Sequence, residues 1–222
     1  MDEMRSRIAR NLEEIRGRIA AAAERAGRDP AGVRLVAVTK AVGVQEAQIL
    51  IELGVTDLGE NRTQNAQEKI EALGRGVRWH MIGNVQRRKA REVVALFDTV
   101  DSVDRLKLAE ALAQRGDEQG RELDVLLEVN VSGEEAKHGF TPENVAEAVE
   151  RMAQWGRLHL RGVMTMAPFV DDPETVRPVF SKLRRLADGL GLPEVSMGMT
   201  NDFEVAVEEG ATQVRIGTAL FK

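Results

Sequence analysis

The sequence predicts an α/β protein built as a single (β/α)8 barrel with an extra N-terminal helix. From residue 34 onward, eight strand-like runs alternate with seven segments of helical composition and spacing. The first run, Leu35-Val36-Ala37-Val38, is continuously apolar rather than alternating, as expected of a parallel strand covered on both faces. A length of 222 residues suits one large domain with a full core, and leaves no room for an ordinary second domain beside a complete barrel. An open doubly wound sheet is the alternative, but it would be large for so regular a succession.

Residues 2–27 place Met4, Ile8, Leu12, Ile15 and Ile19 at three- and four-residue spacing, which is one helix with a single buried stripe. It ends near Gly27, and Pro30 marks the break. Strands are then expected at 34–39, 55–59, 77–83, 97–102, 123–131, 158–166, 194–199 and 212–217. Helices are expected at 44–53, 62–73, 86–96, 104–118, 142–155, 174–190 and 202–209. No eighth helix is expected, because the chain stops at Lys222 just after the last strand; the N-terminal helix is expected to cover its position. No linker, low-complexity tract or short repeat interrupts the series, so residues 1–222 are read as one domain.

A hydrophobic content of 43% with 30% charged residues is that of an ordinary soluble protein. The net charge of −5 argues against nucleic acid or an anionic membrane as partner. With no cysteine there is no disulfide, no thiolate catalysis and no thiolate metal ligand. Met1 to Arg28 is charged and amphipathic without the apolar core of a secretory signal, and no run is long enough to span a membrane, so a cytoplasmic protein is expected.

The chemistry is expected where the strands end. In a barrel all carboxyl ends converge on one face. Collected there, the ends bring Lys40, Asn61, Asn84, Asp101, Asn130, Thr165, Ser196 to Thr200, Arg215, Gly217 and Thr218 together above apolar strands. Lys40 closes the first strand; partial burial would turn its amine into a nucleophile for a carbonyl, whereas full solvation would leave it merely the last residue of the strand. Ser196-Met197-Gly198-Met199-Thr200-Asn201-Asp202 and Arg215-Ile216-Gly217-Thr218 offer hydroxyls, glycines and backbone amides to a phosphate, in the two loops where barrels often hold one. Lysine and phosphate loops together point to a phosphorylated carbonyl compound held as a Schiff base. Pyridoxal 5′-phosphate (PLP) fits that description, and so does a sugar phosphate in a class I aldolase.

Six stretches then carry a resemblance: LVAVTK (35–40), GENR with Gln64 (59–64), WHMIG with Gln86 and Lys89 (79–89), VNVSGEEAKHGF (129–140), LRGVMTMAP (160–168) and SMGMTNDFEVAVEEGATQVRIGTALF (196–221). The chain resembles the YggS/PROSC family of PLP-binding proteins, the pyridoxal phosphate homeostasis proteins, over nearly its whole length. The resemblance implies the barrel of the alanine racemase N-terminal domain, with Lys40 as the cofactor lysine. It also implies that Arg215 faces the pyridine nitrogen, that Ser196, Gly217 and Thr218 hold the phosphate, and that Asn61, His80 and Met199 line the pocket. Asn84 and Val85 replace a frequent histidine-leucine pair, Lys137-His138-Gly139 replaces lysine-serine-glycine, and relatives often run past the position of Lys222. These departures leave the lysine and phosphate signatures intact.

An arginine at the pyridine nitrogen weakens the cofactor as an electron sink, and the chain has no tyrosine to serve as a second base for racemisation. The expectation is therefore a carrier that buffers PLP and passes it to PLP-dependent apo-enzymes, monomeric and without efficient catalysis. The alternative is a weak PLP-dependent amino-acid racemase. His80 is read either as pocket wall or as a hydrogen-bonded packing residue beside Trp79 and Met81; His138 and His159 are given no role. No histidine pair or triple has metal-ligand spacing, so no metal is expected. Arg87, Arg88, Lys89 and Arg91 are read as a solvated basic helix face, with an anion or partner site as the other reading.

Overall fold

Eight short parallel strands close into a barrel in sequence order: β1 (Arg34–Val38), β2 (Asp57–Glu60), β3 (Arg78–Met81), β4 (Thr99–Val103), β5 (Leu123–Glu128), β6 (Leu158–Met164), β7 (Glu194–Ser196) and β8 (Gln213–Ile216). The closing pair is β1 with β8, in the register Arg34↔Gln213 to Ala37↔Ile216. A computed structural model describes residues 2–134 and 138–222; Lys137 of the 129–140 motif lies outside them.

The strands follow the sequence expectation to within a few residues, and so do the helices α1 (Asp2–Arg25), α2 (Val44–Glu52), α3 (Thr63–Leu73), α4 (Ala90–Leu96), α5 (Leu106–Gln119), α6 (Val145–Met152), α7 (Arg177–Gly189) and α8 (Phe203–Glu208). Two predicted helices begin instead as tighter 3-10 turns, Arg87–Lys89 before α4 and Pro173–Val176 before α7. The chain end departs from expectation: a single helical turn, α9 (Thr218–Phe221), does follow β8. Helix α1 packs over it and against α2 and α8. Its stripe of Ile8, Leu12, Ile15 and Ile19 is buried. On the same helix the Asn11 amide donates to the carbonyls of Leu220 (3.2 Å) and Lys222 (2.7 Å). The N-terminal helix thereby completes the outer ring. Among the described residues no helix is long and apolar enough to cross a membrane.

Alternation along each strand makes two interiors. Ala37, Leu58, Trp79, Val100, Val125, Val163, Val195 and Val214 join the apolar core between barrel and helices. The residues next to them point the other way, and several are polar. Gln213 of β8 bonds Asp101 of β4 across the ring, which is geometrically available only through the inside of the barrel.

Candidate functional site

Above the barrel, the loops after β1, β7 and β8 enclose a cleft of about 490 Å3. Its polar walls are Lys40, Thr200, Arg215, Thr218 and Lys222, and its apolar walls include Val38, Ile82, Met166 and Met199. Met166 and Met199 are two of the three large apolar side chains exposed among the described residues. Exposed apolar surface gathered at the mouth of a polar pocket marks a place for a partly apolar ligand.

Lys40 is exposed to this cleft while the chain behind it is clamped. The Thr39 amide continues the ladder to the Gly59 carbonyl at 3.0 Å. The Thr39 hydroxyl donates to Glu60 Oε1 at 2.6 Å, and its carbonyl accepts from Lys69 Nζ at 2.8 Å. Lys69 and Glu60 themselves pair at 2.6 Å, both almost fully buried. An ion pair so placed fixes the peptide from which Lys40 projects. Nothing in the sequence pattern joins Glu60 and Lys69; only the β2–α3 turn brings them under the end of β1.

The opposite wall is built from β8. Arg215 is 5% exposed; its Nη1 donates to Ser196 Oγ at 2.5 Å and its Nη2 to the Thr165 carbonyl at 2.9 Å. Burial lowers its pKa, against the pull of the Asp101, Asp202 and Glu128 carboxylates. After it, the turn at Gly217 runs close to β1. A Cβ there would lie 3.3 Å from the Val38 Cβ and 3.4 Å from its carbonyl oxygen, so the bare backbone keeps a cradle open beside Lys40.

Beneath the cleft lies a wholly buried polar row. Gln213 Nε2 donates to Ser196 Oγ (3.0 Å) and to Asp101 Oδ2 (2.6 Å). His80 Nδ1 faces Asp101 Oδ1 at 3.1 Å, and its Nε2 faces Asp57 Oδ1 at 3.0 Å. Burial alone would lower the His80 pKa, but Asp101 and Asp57 outweigh it and hold the pKa up at about 9. Asp57 is raised by burial but lowered further by hydrogen bonds from His80 and Thr56, and ends below the usual carboxylate range.

Of the residues the sequence singled out, Lys40, Met199, Arg215, Gly217 and Thr218 share the cleft. Asn61 lines a neighbouring hollow with Gln64 and Asn84. The side chains of His80 and Ser196 point into the barrel one layer below, are fully buried, and lie outside the walls of the cleft. The Ser196 hydroxyl oxygen accepts from both Arg215 and Gln213. Of the two readings of His80, the structure has the hydrogen-bonded interior residue. Its partner Asp101 is among the strand-end residues collected from the sequence; Asp57 and Gln213 were missed, and each follows a polar residue, Thr56 and Thr212, that blurs the alternation. His138 is exposed and His159 half-buried, near Asp104 and Glu122 respectively. Arg87, Arg88 and Arg91 line a separate outer groove with Lys107 and Arg115.

A parallel barrel with a lysine at the end of its first strand, facing a buried arginine from its last, defines a class: the barrels that meet a carbonyl ligand with a lysine amine. The alanine racemase N-terminal domain family model matches residues 10–222. The chain belongs to that family, and within it to the pyridoxal phosphate homeostasis proteins. It is 42% identical over 222 residues to the pyridoxal phosphate homeostasis protein of Aquifex aeolicus, covering 97% of this chain and 96% of that one. PipY of Synechococcus elongatus, solved with PLP bound, superposes with a TM-score of 0.85 at 31% identity, covering 97% of this chain and 100% of that one. Alanine racemase of Clostridium difficile shares the fold at 16% identity and a TM-score of 0.76, over 97% of this chain and 55% of that one.

Proposed function

We propose that this protein holds PLP reversibly at Lys40 and serves PLP homeostasis as a carrier rather than an efficient catalyst. The observation that carries this is the cleft itself: an exposed lysine amine on a clamped peptide, a cradle that a Cβ at Gly217 would crowd, and an apolar rim of Met166 and Met199. These features fit the amine-reactive aldehyde, the phosphate and the flat ring of PLP, and PipY, which is alike over its whole length, is solved with PLP bound.

In this reading Lys40 supplies the amine that holds the aldehyde as a Schiff base, releasing water. Gly217 and Thr218, with the Met199-Thr200 turn, surround the phosphate. Arg215 meets the ring nitrogen as a permanent cation, which keeps that nitrogen unprotonated and the ring a weak electron sink. Ser196 acts behind Arg215 instead of on the phosphate, and Asn61 sits at the rim. The whole of 1–222 works as one cofactor-binding unit, a monomer in the cytoplasm that hands PLP to PLP-dependent apo-enzymes.

Absorbance titration tests the reading. PLP added to the purified protein is expected to give a saturable yellow species that borohydride bleaches, and Lys40→Ala is expected to abolish it without loss of helical circular dichroism. An unchanged titration in Lys40→Ala would overturn the assignment.

A further inference from the structure

We propose that His80 is a positioning residue for Arg215: locked between Asp57 and Asp101, it fixes the carboxylate that, through Gln213 and Ser196, aims the guanidinium into the cleft. The inference rests on the reading of Arg215 as the group that meets the cofactor ring.

The direction of every bond in the row follows from chemistry. Arginine only donates, so Ser196 Oγ accepts from Arg215 Nη1 at 2.5 Å. Gln213 is oriented at both ends of its amide: Oε1 accepts from Arg34 Nη1 at 3.3 Å, and Nε2 spends its two protons on Ser196 and Asp101. Asp101 thus accepts from Gln213 on one oxygen and from His80 Nδ1 on the other. The second His80 nitrogen meets Asp57, which an ionised carboxylate makes an acceptor as well. Two nitrogens, each against an acceptor, require two protons, so the geometry makes the ring an imidazolium.

The charges then balance. Asp57 and Asp101 supply two negative charges; His80 and Arg215 supply two positive ones, and all four residues are at least nine-tenths buried. Loss of the His80 charge would leave two interior carboxylates competing for Arg215 and would draw the guanidinium down, away from the cleft. The other charged groups facing the row are Arg34 and Arg78, on Asp57, and Glu128 and Asp202, on Arg215. None of them replaces the imidazolium.

The test compares wild type with Gln213→Met, which cuts the row while leaving both His80 ion pairs, and with His80→Gln, which keeps hydrogen-bonding capacity without charge. In the PLP-loaded proteins both variants are expected to shift the absorbance maximum and its pH profile, and to weaken PLP about tenfold, the loss of one charge-assisted hydrogen bond. Wild-type protein without PLP, labelled with 15N-histidine, is expected to show one ring with both nitrogens protonated up to about pH 8.5, whether or not a variant folds. A neutral His80 ring at pH 7, or a Gln213→Met protein with the wild-type spectrum and affinity, would overturn the proposal. A wild type that takes up no PLP would instead overturn the reading of the cleft, and the imidazolium measurement would stand apart from that result.

Discussion

At the scale of single residues, Gly217 and His80 make separable predictions. Gly217 leaves open the space beside Val38 that a Cβ would crowd. Gly217→Val is therefore expected to leave the fold intact and to weaken PLP at least tenfold. Pyridoxal, which lacks the phosphate, is expected to bind wild type far more weakly than PLP, because charge-assisted hydrogen bonds are worth about 1.5–3 kcal/mol each. Equal affinity for the two aldehydes in a fluorescence titration would remove the phosphate from the Gly217-Thr218 turn. His80 predicts a pH dependence of stability. Its folded pKa of about 9 lies above its ordinary value of 6.5, so its contribution is complete below pH 6.5 and is lost as pH rises through 9. Urea unfolding is expected to show wild type losing on the order of 3 kcal/mol across that window relative to His80→Gln. A difference that stays flat between pH 6.5 and 9.5 would contradict the buried imidazolium. Lys40 and Arg215 were legible because strand ends in a barrel face one site. The depth of Ser196 was not legible, because a one-residue difference along so short a strand decides which layer a hydroxyl joins.

At the scale of elements, two close approaches set what the sequence tolerates. The β6–β7 pair passes so tightly at Gly162 that a Cβ would lie 1.9 Å from the Glu194 carbonyl oxygen. Gly162→Ala is expected to cost several kcal/mol or to prevent folding, by forcing the two strands apart. Gly17, inside α1, has open space where its Cβ would sit, and Gly17→Ala is expected to stabilise by about 0.5–1 kcal/mol through helix propensity. Thermal melts of the two variants should move in opposite directions; parallel shifts would mean that the approach at β6–β7 is looser than it stands here. Beneath β1, Lys69→Met leaves the Glu60 carboxylate buried without its cation and is expected to destabilise by about 3–5 kcal/mol. The helices were legible from three- and four-residue spacing, as in the stripe of α1. The Glu60–Lys69 pair was not, since a charge inside a helix pattern reads as solvent-facing until the neighbouring strand is placed. The turn α9 escaped for a related reason: four residues carry too little periodicity to distinguish a helical turn from a tail.

At the scale of the whole molecule, the barrel divides its labour between an apolar shell and a polar axis. The shell, between strands and helices, supplies burial and is closed by α1 over the end of the chain. The axis runs from Asp57 through His80, Asp101, Gln213 and Ser196 to Arg215. The shell was written in the sequence as apolar runs; of the axis, His80, Asp101, Ser196 and Arg215 stood out there, but Asp57, Gln213 and the bonds that join the row did not. With Arg215 at the ring nitrogen, as proposed, and no tyrosine in the chain, racemisation of alanine or serine by the PLP-loaded protein is expected to be slow at most. Rapid, saturable racemisation would make the protein an enzyme instead of a carrier. The identity of the residue that carries PLP decides the rest. Peptide mass spectrometry of the protein loaded with PLP and reduced with borohydride is expected to place the label on Lys40 alone; a label on Lys69, Lys89 or Lys137 with Lys40 unmodified would contradict it.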